Sequence, residues 1–250
     1  MGRTKQKVLA VIPARYASTR LPGKVLMEVA GKPIVQHVYD RTRQARLVDE
    51  CIVATDDRRV VEALKQFGTN VVMTNPNHPS GTDRIAEVAS TSSAEIIVNV
   101  QGCEAIIDPR MIDQAIQPLL DDPTVRMATL KHRMSDMNEI NDPNVVKVVT
   151  DNKNRALYFS RAPIPAIRDV ADRKAREWCY YKHVGLYVYR SDFLLAYAKM
   201  APTTLEKLEK LEQLRALENG VEIIVTETEF DSIGVDTMDA FLKVKSLLER

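Results

Sequence analysis

Apolar runs of strand length alternate with longer stretches of helical periodicity throughout the first half of the chain. The apolar runs are residues 8–12, 51–54, 71–74 and 96–100, and the helical stretches are residues 34–47, 58–67, 82–90 and 109–120. Strands that alternate with helices of this length are typical of βαβ units. Because such units build a parallel sheet with helices on its faces, the pattern predicts an α/β fold.

The pattern changes after Asp121, where polar loops separate most of the apolar runs. Strands are predicted at residues 127–131, 145–150, 156–159, 184–189 and 221–225, and helices at residues 204–217, which Gly220 would end, and 238–248. Residues 168–177 form the most polar segment, which we expect to be an exposed loop or a short helix. We predict a single domain over residues 1–250. Its second half extends the same sheet and adds a small lobe that could carry substrate specificity and an oligomer contact.

A turn-rich loop after the first strand carries three permanent cations, Arg15, Arg20 and Lys24. In open α/β sheets ligands bind outside the carboxyl ends of the strands, so the loop predicts an anion site. The chain contains neither G-x-x-x-x-G-K-[ST] nor G-x-G-x-x-G. A polyphosphate would therefore be held mainly by guanidinium forks and a lysine. The alternative is a solvated loop that happens to be basic.

The overall charge excludes some classes of partner. Lys and Arg number 35 against 34 Asp and Glu, a net charge of +1, so no global field favours nucleic acid or a membrane surface. No apolar stretch reaches membrane-spanning length, and residues 1–7 contain no secretory apolar region. Cys51, Cys103 and Cys179 are odd in number and widely spaced, which fits a reducing compartment. We expect a cytoplasmic enzyme with no nucleic-acid or membrane partner.

Eight ordered motifs within residues 7–248 resemble those of one family. They are VIPARYASTRLPGK (11–24), ATDD (54–57), HPSGTDR (78–84), VNVQG (98–102), YFSRAPIP (158–165), HVGLYVYR (183–190), LEQLRALENG (211–220) and GVDT (234–237). In these motifs the chain is similar to the sugar-nucleotide cytidylyltransferases, specifically those that act on 3-deoxy-manno-octulosonate (Kdo). The resemblance implies a Rossmann-like, mostly parallel mixed sheet flanked by helices, of the nucleotide-diphospho-sugar transferase type. It also implies a nucleotide-binding half (about 1–120) and a half for sugar binding and dimerisation (about 121–250).

The resemblance implies the reaction CTP + Kdo → CMP-Kdo + pyrophosphate. It also implies Mg²⁺ as cofactor and a cytoplasmic homodimer that serves lipopolysaccharide synthesis. A close analogue such as 8-amino-Kdo is a related substrate. Two alternatives stay open: a cytidylyltransferase for another acidic sugar such as a sialic acid, and a CTP-binding homologue of low or no activity.

The nucleotide contacts implied by the resemblance fall in three motifs. They are Arg15, Ser18, Arg20, Lys24, Ser80, Gly81, Thr82, Arg84 and Gln101. Arg15 and Lys24 are also candidate catalytic residues, because nucleotidyl transfer depends on neutralising and positioning the triphosphate. Ser80 and Thr82 could instead cap a helix. Arg84 could instead pair with Asp83 or Glu87.

The sugar contacts implied by the resemblance are Arg161, His183, Tyr187, Glu212 and Gln213. The carboxylate of Kdo calls for a guanidinium fork, and its hydroxyls call for polar side chains. Each residue also has an ordinary alternative: a structural hydrogen bond for His183, core packing for Tyr187, and a solvated helix face for Glu212 and Gln213.

The metal site is where the chain departs from the family pattern. Asp236 is the implied Mg²⁺ ligand and a candidate catalytic residue, with a helix N-cap as its alternative. The family motif V-Q-G-D-E-P reads Val-Gln-Gly-Cys-Glu-Ala here, so Cys103 replaces a metal-binding carboxylate. A cysteine should weaken Mg²⁺ binding. On an extended segment Glu104 would point away from the site, which argues against it as a substitute. Three interpretations remain: one metal bridged by the substrates and Asp236, adaptation to another sugar or to Mn²⁺, or an impaired variant.

Overall fold

The computed structural model describes residues 6–17, 21–169 and 179–249. The predictions made for Ser18, Arg20 and most of residues 168–177 therefore lie outside the described residues. The strands are β1 (Val8–Pro13), β2 (Glu28–Val29), β3 (Lys32–Pro33), β4 (Glu50–Thr55), β5 (Val71–Met73), β6 (Ile96–Asn99), β7 (Met127–Arg133), β8 (Lys147–Thr150), β9 (Ala156–Ser160), β10 (Tyr181–Arg190) and β11 (Ile223–Thr228).

Helices connect most of these strands, and a short 3-10 helix covers Lys24–Leu26. The α-helices are α1 (Ile34–Thr42), α2 (Arg58–Lys65), α3 (Gly81–Ser90), α4 (Pro109–Asp121), α5 (Met137–Asn141), α6 (Ser191–Tyr197), α7 (Thr204–Glu209), α8 (Gln213–Glu218) and α9 (Met238–Leu248). None of the described helices has the length and apolarity needed to cross a membrane.

The central sheet has the strand order β11-β7-β10-β6-β1-β4-β5. Strands β6, β1, β4 and β5 run parallel, whereas β10 is antiparallel to both β6 and β7. Strand β8 pairs with β10 and with β9, so these two strands extend the sheet in the second half of the chain. The mostly parallel mixed sheet confirms the predicted fold class.

Strand β1 shows why the first apolar run is continuous. Leu9 and Val11 pack with α3, α6 and α8 on one face of the sheet, and Ala10 and Ile12 pack with α1, α2 and α4 on the other. All four side chains are fully buried. A strand covered by helices on both faces reads as an unbroken apolar run.

Several element boundaries differ from the predictions. The single helix predicted at residues 204–217 is wrong, because the chain forms α7 and α8 with a break at Lys210, whose φ is 55°. Helix α1 ends at Thr42, earlier than residue 47. Helices α5 and α6 were not predicted, and β10 begins three residues before the predicted strand.

Close packing at the carboxyl edge of the sheet brings two strand ends together. A Cβ atom on Gly102, just beyond β6, would lie 2.7 Å from the carbonyl oxygen of Pro13 at the end of β1. Glycine therefore lets the two strand ends meet. Asn99, the last residue of β6, pairs with Tyr187 of β10, which brings the two sequence halves together.

Candidate active site

A cavity of about 220 Å³ lies between the start of α3, the paired parts of β6 and β10, and the segment joining α7 to α8. Its lining is Gly81, Thr82, Asn99, Gln101, Tyr187, Tyr189, Tyr197, Lys210, Leu211, Glu212 and Gln213. Three of these residues were predicted to contact the nucleotide and three the sugar. The cavity therefore brings together residues from motifs that are more than a hundred positions apart in sequence.

The first turn of α3 forms one wall. Ser80 and Asp83 form a reciprocal capping box, in which each side chain accepts a hydrogen bond from the backbone N–H of the other at 3.2 Å. Ser80 thus has the capping role given as its alternative. Thr82 does not cap the helix, and its hydroxyl donates to Glu212 at 2.8 Å.

The opposite wall is the segment between α7 and α8. Glu212 is half-buried, and burial raises the pKa of its carboxyl group. Arg215 lies 3.4 Å from one of its oxygens, and Tyr197 donates to its backbone carbonyl at 2.5 Å. Gln213 is almost fully buried, and its Nε2 donates no hydrogen bond to the described residues. The alternative placed Glu212 and Gln213 on a solvated helix face. In the structure both residues line the cavity instead.

An aromatic row extends from the floor of the cavity. The rings of His183 and Tyr187 lie 5.2 Å apart, and those of Tyr187 and Tyr189 lie 6.0 Å apart. Burial lowers the pKa of His183 to about 3, so its imidazole is neutral at neutral pH. Its Nε2 hydrogen-bonds the Thr129 hydroxyl at 2.9 Å. His183 lies next to Tyr187 but does not line the cavity itself.

Arg15 ties the end of β1 to the loop before α3. Its guanidinium donates to the carbonyl oxygens of His78 at 2.6 Å and Pro79 at 3.4 Å. Its Nε is buried and donates no hydrogen bond within the described chain. Burial and then the neighbouring Arg84 lower the pKa of Arg15. The neighbouring Asp56 and Asp83 act in the opposite direction, so this corner holds charges of both signs.

Arg84 is fully buried beneath this corner. Its guanidinium pairs with Asp56 at 3.0 Å and donates to the Thr74 hydroxyl. The ion-pair partner is therefore Asp56, and the expected alternatives Asp83 and Glu87 were wrong as partners. The nucleotide role of Arg84 stays a prediction, and its burial favours support of the loops over direct contact.

Lys24 and Asp236 form an ion pair at the opposite side of the loop, with Lys24 largely buried. Thr237, whose side chain accepts from the N–H of Ala240, caps α9. The N-cap alternative for Asp236 is therefore wrong, and its carboxylate faces Lys24. Lys24 also lies near Cys103, where its charge acts to lower the pKa of the thiol.

The Cys103 thiol stays protonated at neutral pH. Burial, followed by the neighbouring Glu104, raises its pKa to about 12. Mg²⁺ prefers oxygen ligands, and a neutral thiol is a poor one. Within residues 6–17, 21–169 and 179–249, no group of three or more His, Cys, Asp or Glu side chains is arranged to hold a metal.

Glu104 lies on a turn, so the extended geometry used to argue against it was wrong. The N–H of Glu104 donates to the carbonyl of Gln101, and the N–H of Ile107 donates to the carbonyl of Glu104, both at 3.0 Å. Ser232 donates to the Glu104 carboxylate, whose pKa is raised by burial. A Cβ atom on Gly234 would lie 2.9 Å from the same carboxylate. Glu104 therefore fastens the loop that carries Asp236.

Arg161 does not line the cavity, and main-chain carbonyls occupy its guanidinium. Nε donates to Glu209 at 2.7 Å, and the two terminal nitrogens donate to Pro143 at 2.8 Å and Lys210 at 3.4 Å. Two of these carbonyls belong to the segment that precedes Glu212. The geometry favours positioning of the wall between α7 and α8 over a direct fork to a carboxylate.

Five lining residues were missed by sequence reasoning: Asn99, Tyr189, Tyr197, Lys210 and Leu211. Asn99, Tyr189 and Leu211 fall inside the quoted motifs, so the motif boundaries contained the signal. Tyr197 lies on α6, a helix that was not predicted. Lys210 reaches the wall only because of the break between α7 and α8.

Comparisons with known proteins show which family the chain is similar to. A family model described as cytidylyltransferase matches residues 9–223. A 3-deoxy-manno-octulosonate cytidylyltransferase of Geobacter metallireducens is 59% identical, covering 98% of both chains. The corresponding enzyme of Geobacter sulfurreducens is 58% identical, covering 97% of this chain and 99% of its own.

A solved structure shares the same fold over nearly the whole chain. It is that of a CMP:2-keto-3-deoxy-manno-octonic acid synthetase in complex with CTP. The two chains superpose with a TM-score of 0.91 at 44% identity, and 97% of this chain and 98% of that chain are covered.

Proposed function

The chain belongs to the 3-deoxy-manno-octulosonate cytidylyltransferase family, and on that premise we propose that it transfers CMP from CTP to the anomeric hydroxyl of Kdo with release of pyrophosphate. The observation that carries this proposal is the cavity, which gathers nucleotide-motif and sugar-motif residues around one space. The names of the close relatives favour Kdo over a sialic acid and an active enzyme over a silent homologue.

The phosphate end of the site is assigned to the cationic loop and the loop before α9. The sugar hydroxyl attacks the α-phosphorus in line with the departing pyrophosphate, so neutralising and holding the triphosphate dominates catalysis. Lys24 supplies a largely buried cation, and Asp236 keeps it oriented until the triphosphate arrives. Arg15 supplies a second cation close to Arg84.

The donor set fits a Mg²⁺ ion that arrives with the triphosphate. In proteins Mg²⁺ keeps several waters and is held by one or two carboxylates together with substrate phosphates. Asp236 supplies one carboxylate, while the protonated Cys103 supplies none. When bound, Mg²⁺ would neutralise charge on the phosphate oxygens. These residues support the interpretation of one metal bridged by the substrates and Asp236, held more weakly than a second carboxylate at position 103 would allow.

The sugar end is assigned to the wall opposite α3. Glu212 offers hydrogen-bond acceptors and Gln213 a buried amide donor, which together suit the hydroxyl groups of Kdo. Tyr187 lines the same cavity and its ring lies 5.2 Å from that of the neutral His183, so His183 acts by fixing the position of the tyrosine ring. Arg161 fixes the backbone of the same wall.

We expect Arg161→Ala to raise the KM for Kdo by about tenfold or more, with a smaller change in the KM for CTP. A hydrogen bond to a charged group contributes about 1.5–3 kcal/mol, and here it holds the segment before Glu212. Steady-state kinetics with each substrate varied in turn provide the measurement. Arg155→Ala is the matched control, because this arginine of the same lobe pairs with the exposed Glu222 and lies outside the cavity. A larger effect on the KM for CTP would remove Arg161 from the sugar side.

A homodimer in the cytoplasm completes the proposal. Large apolar side chains remain exposed on the second half, notably Leu157 on β9 at 62% and Leu208 on α7 at 75%. Contacts between two lobes would cover such side chains. The three cysteines are free, as expected in a reducing compartment. Sedimentation velocity measures the mass in solution, and a mass of one chain at micromolar concentration would contradict the dimer.

Substrate selectivity tests the proposed function. Pyrophosphate release should be fastest with CTP and Kdo among combinations of CTP, UTP and ATP with Kdo, 8-amino-Kdo and N-acetylneuraminate. Faster release with N-acetylneuraminate than with Kdo would assign the site to sialic acids. CTP binding without release of pyrophosphate from any combination would indicate a silent homologue.

A further inference from the structure

One carboxylate spans the cavity from its sugar side to its nucleotide side. Glu212, which precedes α8, accepts a hydrogen bond from the Thr82 hydroxyl at 2.8 Å through Oε2. Its other oxygen, Oε1, lies 3.4 Å from the Ser80 hydroxyl. The two partners lie at the start of α3, about 130 positions earlier in the chain. A side chain of the sugar-side wall is thus bonded directly to the wall that carries the nucleotide motif.

The contact is not explained by the stability of α3. Ser80 and Asp83 already complete the capping box, so the helix does not require Glu212 or the Thr82 hydroxyl for its first turn. Thr82 is almost fully buried, and its hydroxyl donates its hydrogen bond across the cavity to Glu212.

The rest of the sugar-side wall is anchored from behind. Tyr197 holds the backbone carbonyl of Glu212 at 2.5 Å, and Arg215 pairs with Glu206 at 2.5 Å. Arg215 lies farther from Glu212, at 3.4 Å. The backbone of Glu212 is therefore fixed by one set of contacts, while its carboxylate is oriented mainly by Thr82.

Burying the Glu212 carboxylate costs free energy, so the hydrogen bond from Thr82 is important for keeping it charged. Burial favours the neutral form of Glu212, and the bond from Thr82 favours the anion. A ligand that fixes Thr82 or Glu212 on one side of the cavity therefore changes how the other residue is held on the opposite side. Gln213, with its buried and unbonded Nε2, lies beside this acceptor.

We propose that the Thr82–Glu212 hydrogen bond couples the binding of the two substrates. CTP bound against the first turn of α3 fixes Thr82 and, through it, orients the Glu212 carboxylate to receive the sugar hydroxyls. When the second ligand binds, the wall is already ordered, so the protein loses less conformational entropy. Linkage requires the same factor in both directions, so Kdo also tightens CTP binding. The proposal rests on the function proposed above.

Calorimetric titrations measure this coupling directly. A CTP analogue with a methylene group between its α- and β-phosphates prevents turnover, so it is titrated with and without saturating Kdo in the presence of Mg²⁺. For the unaltered protein we expect Kdo to lower the Kd of the analogue by about fivefold or more. In Thr82→Val the ratio of the Kd without Kdo to the Kd with Kdo should fall to about one. The ratio is the readout because it corrects for any change in affinity for the nucleotide alone.

Two further variants separate coupling from general damage. Thr91→Val makes the same chemical change at the residue that follows α3, where the hydroxyl donates to the Val88 carbonyl, and it should keep the full ratio. Glu212→Gln keeps a hydrogen-bond acceptor and should keep more of the ratio than Glu212→Ala.

The outcomes distinguish this inference from the proposed function. A full ratio in Thr82→Val, or a ratio of one in the unaltered protein, would overturn the coupling while leaving the reaction intact. Failure of the unaltered protein to bind the CTP analogue at all would instead contradict the proposed function.

Discussion

Cys103→Asp is expected to raise the rate of pyrophosphate release with Mg²⁺ by about tenfold to a hundredfold, the range typical of changes at groups that support a metal. The physical reason is the donor set. Burial keeps the Cys103 thiol protonated, with a pKa of about 12, whereas an aspartate offers an oxygen ligand close to Asp236. Initial rates measured over a range of Mg²⁺ concentrations should show the gain as a lower half-saturating concentration.

A readout that does not depend on activity checks the same change. An aspartate at this position adds negative charge beside Glu104 and Asp236, so Mg²⁺ should raise the melting temperature of the variant more than that of the unaltered protein. Cys103→Ser is the matched control, since it keeps the size of the side chain without a carboxylate. If serine raised the rate as much as aspartate, the effect would come from removing the thiol and not from metal binding.

Lys24→Ala is expected to reduce kcat/KM for CTP by about a hundredfold to a thousandfold, the cost of removing one preorganised charge-stabilising group. The variant loses the cation assigned to the triphosphate and its ion pair with Asp236. Steady-state kinetics give the catalytic loss, and titration with CTP gives the loss in affinity.

Lys32→Ala provides the matched control for this change. Lys32 forms an ion pair with Asp40 at 2.6 Å only eight residues farther along the chain, and its side chain is more exposed. Its replacement should leave the kinetics with CTP nearly unchanged. Equal losses in the two variants would show that the effect is general charge reduction, and an unchanged Kd for CTP in Lys24→Ala would remove Lys24 from the phosphate site.

The sheet could be predicted from sequence because its signals are local. Strand β1 is buried on both faces, so every residue from Val8 to Ile12 is apolar, and the helices that follow β4 and β5 begin with capping residues, Asp57 and Ser80. Such patterns depend on a few neighbouring residues. These patterns can therefore be read from the sequence without knowing which residues are in contact in the fold.

The break at Lys210 could not be predicted in this way. Residues 204–217 have helical periodicity, but the chain turns into the left-handed region at Lys210. Arg161, 49 positions away, bonds the carbonyl oxygens at that break. A helix ended by contacts so distant in sequence leaves no local signal.

The same distinction holds for the candidate site. Motifs predicted functional roles for Thr82, Gln101, Tyr187, Glu212 and Gln213, and all five line the same cavity. They did not show that Thr82 bonds Glu212, because that contact depends on how the two halves pack. The motifs gave no preference for Asp56 as the partner of Arg84 for the same reason.

Transfer of labelled phosphorus is the most direct measurement of the proposed reaction. The unaltered protein is incubated with CTP labelled at the α-phosphorus, Kdo and Mg²⁺, and the products are separated by chromatography. We predict that the label moves into a CMP-Kdo conjugate in equal amount to the pyrophosphate released. Label that remains in CTP, or that is released as free CMP at a rate independent of Kdo, would contradict a Kdo cytidylyltransferase.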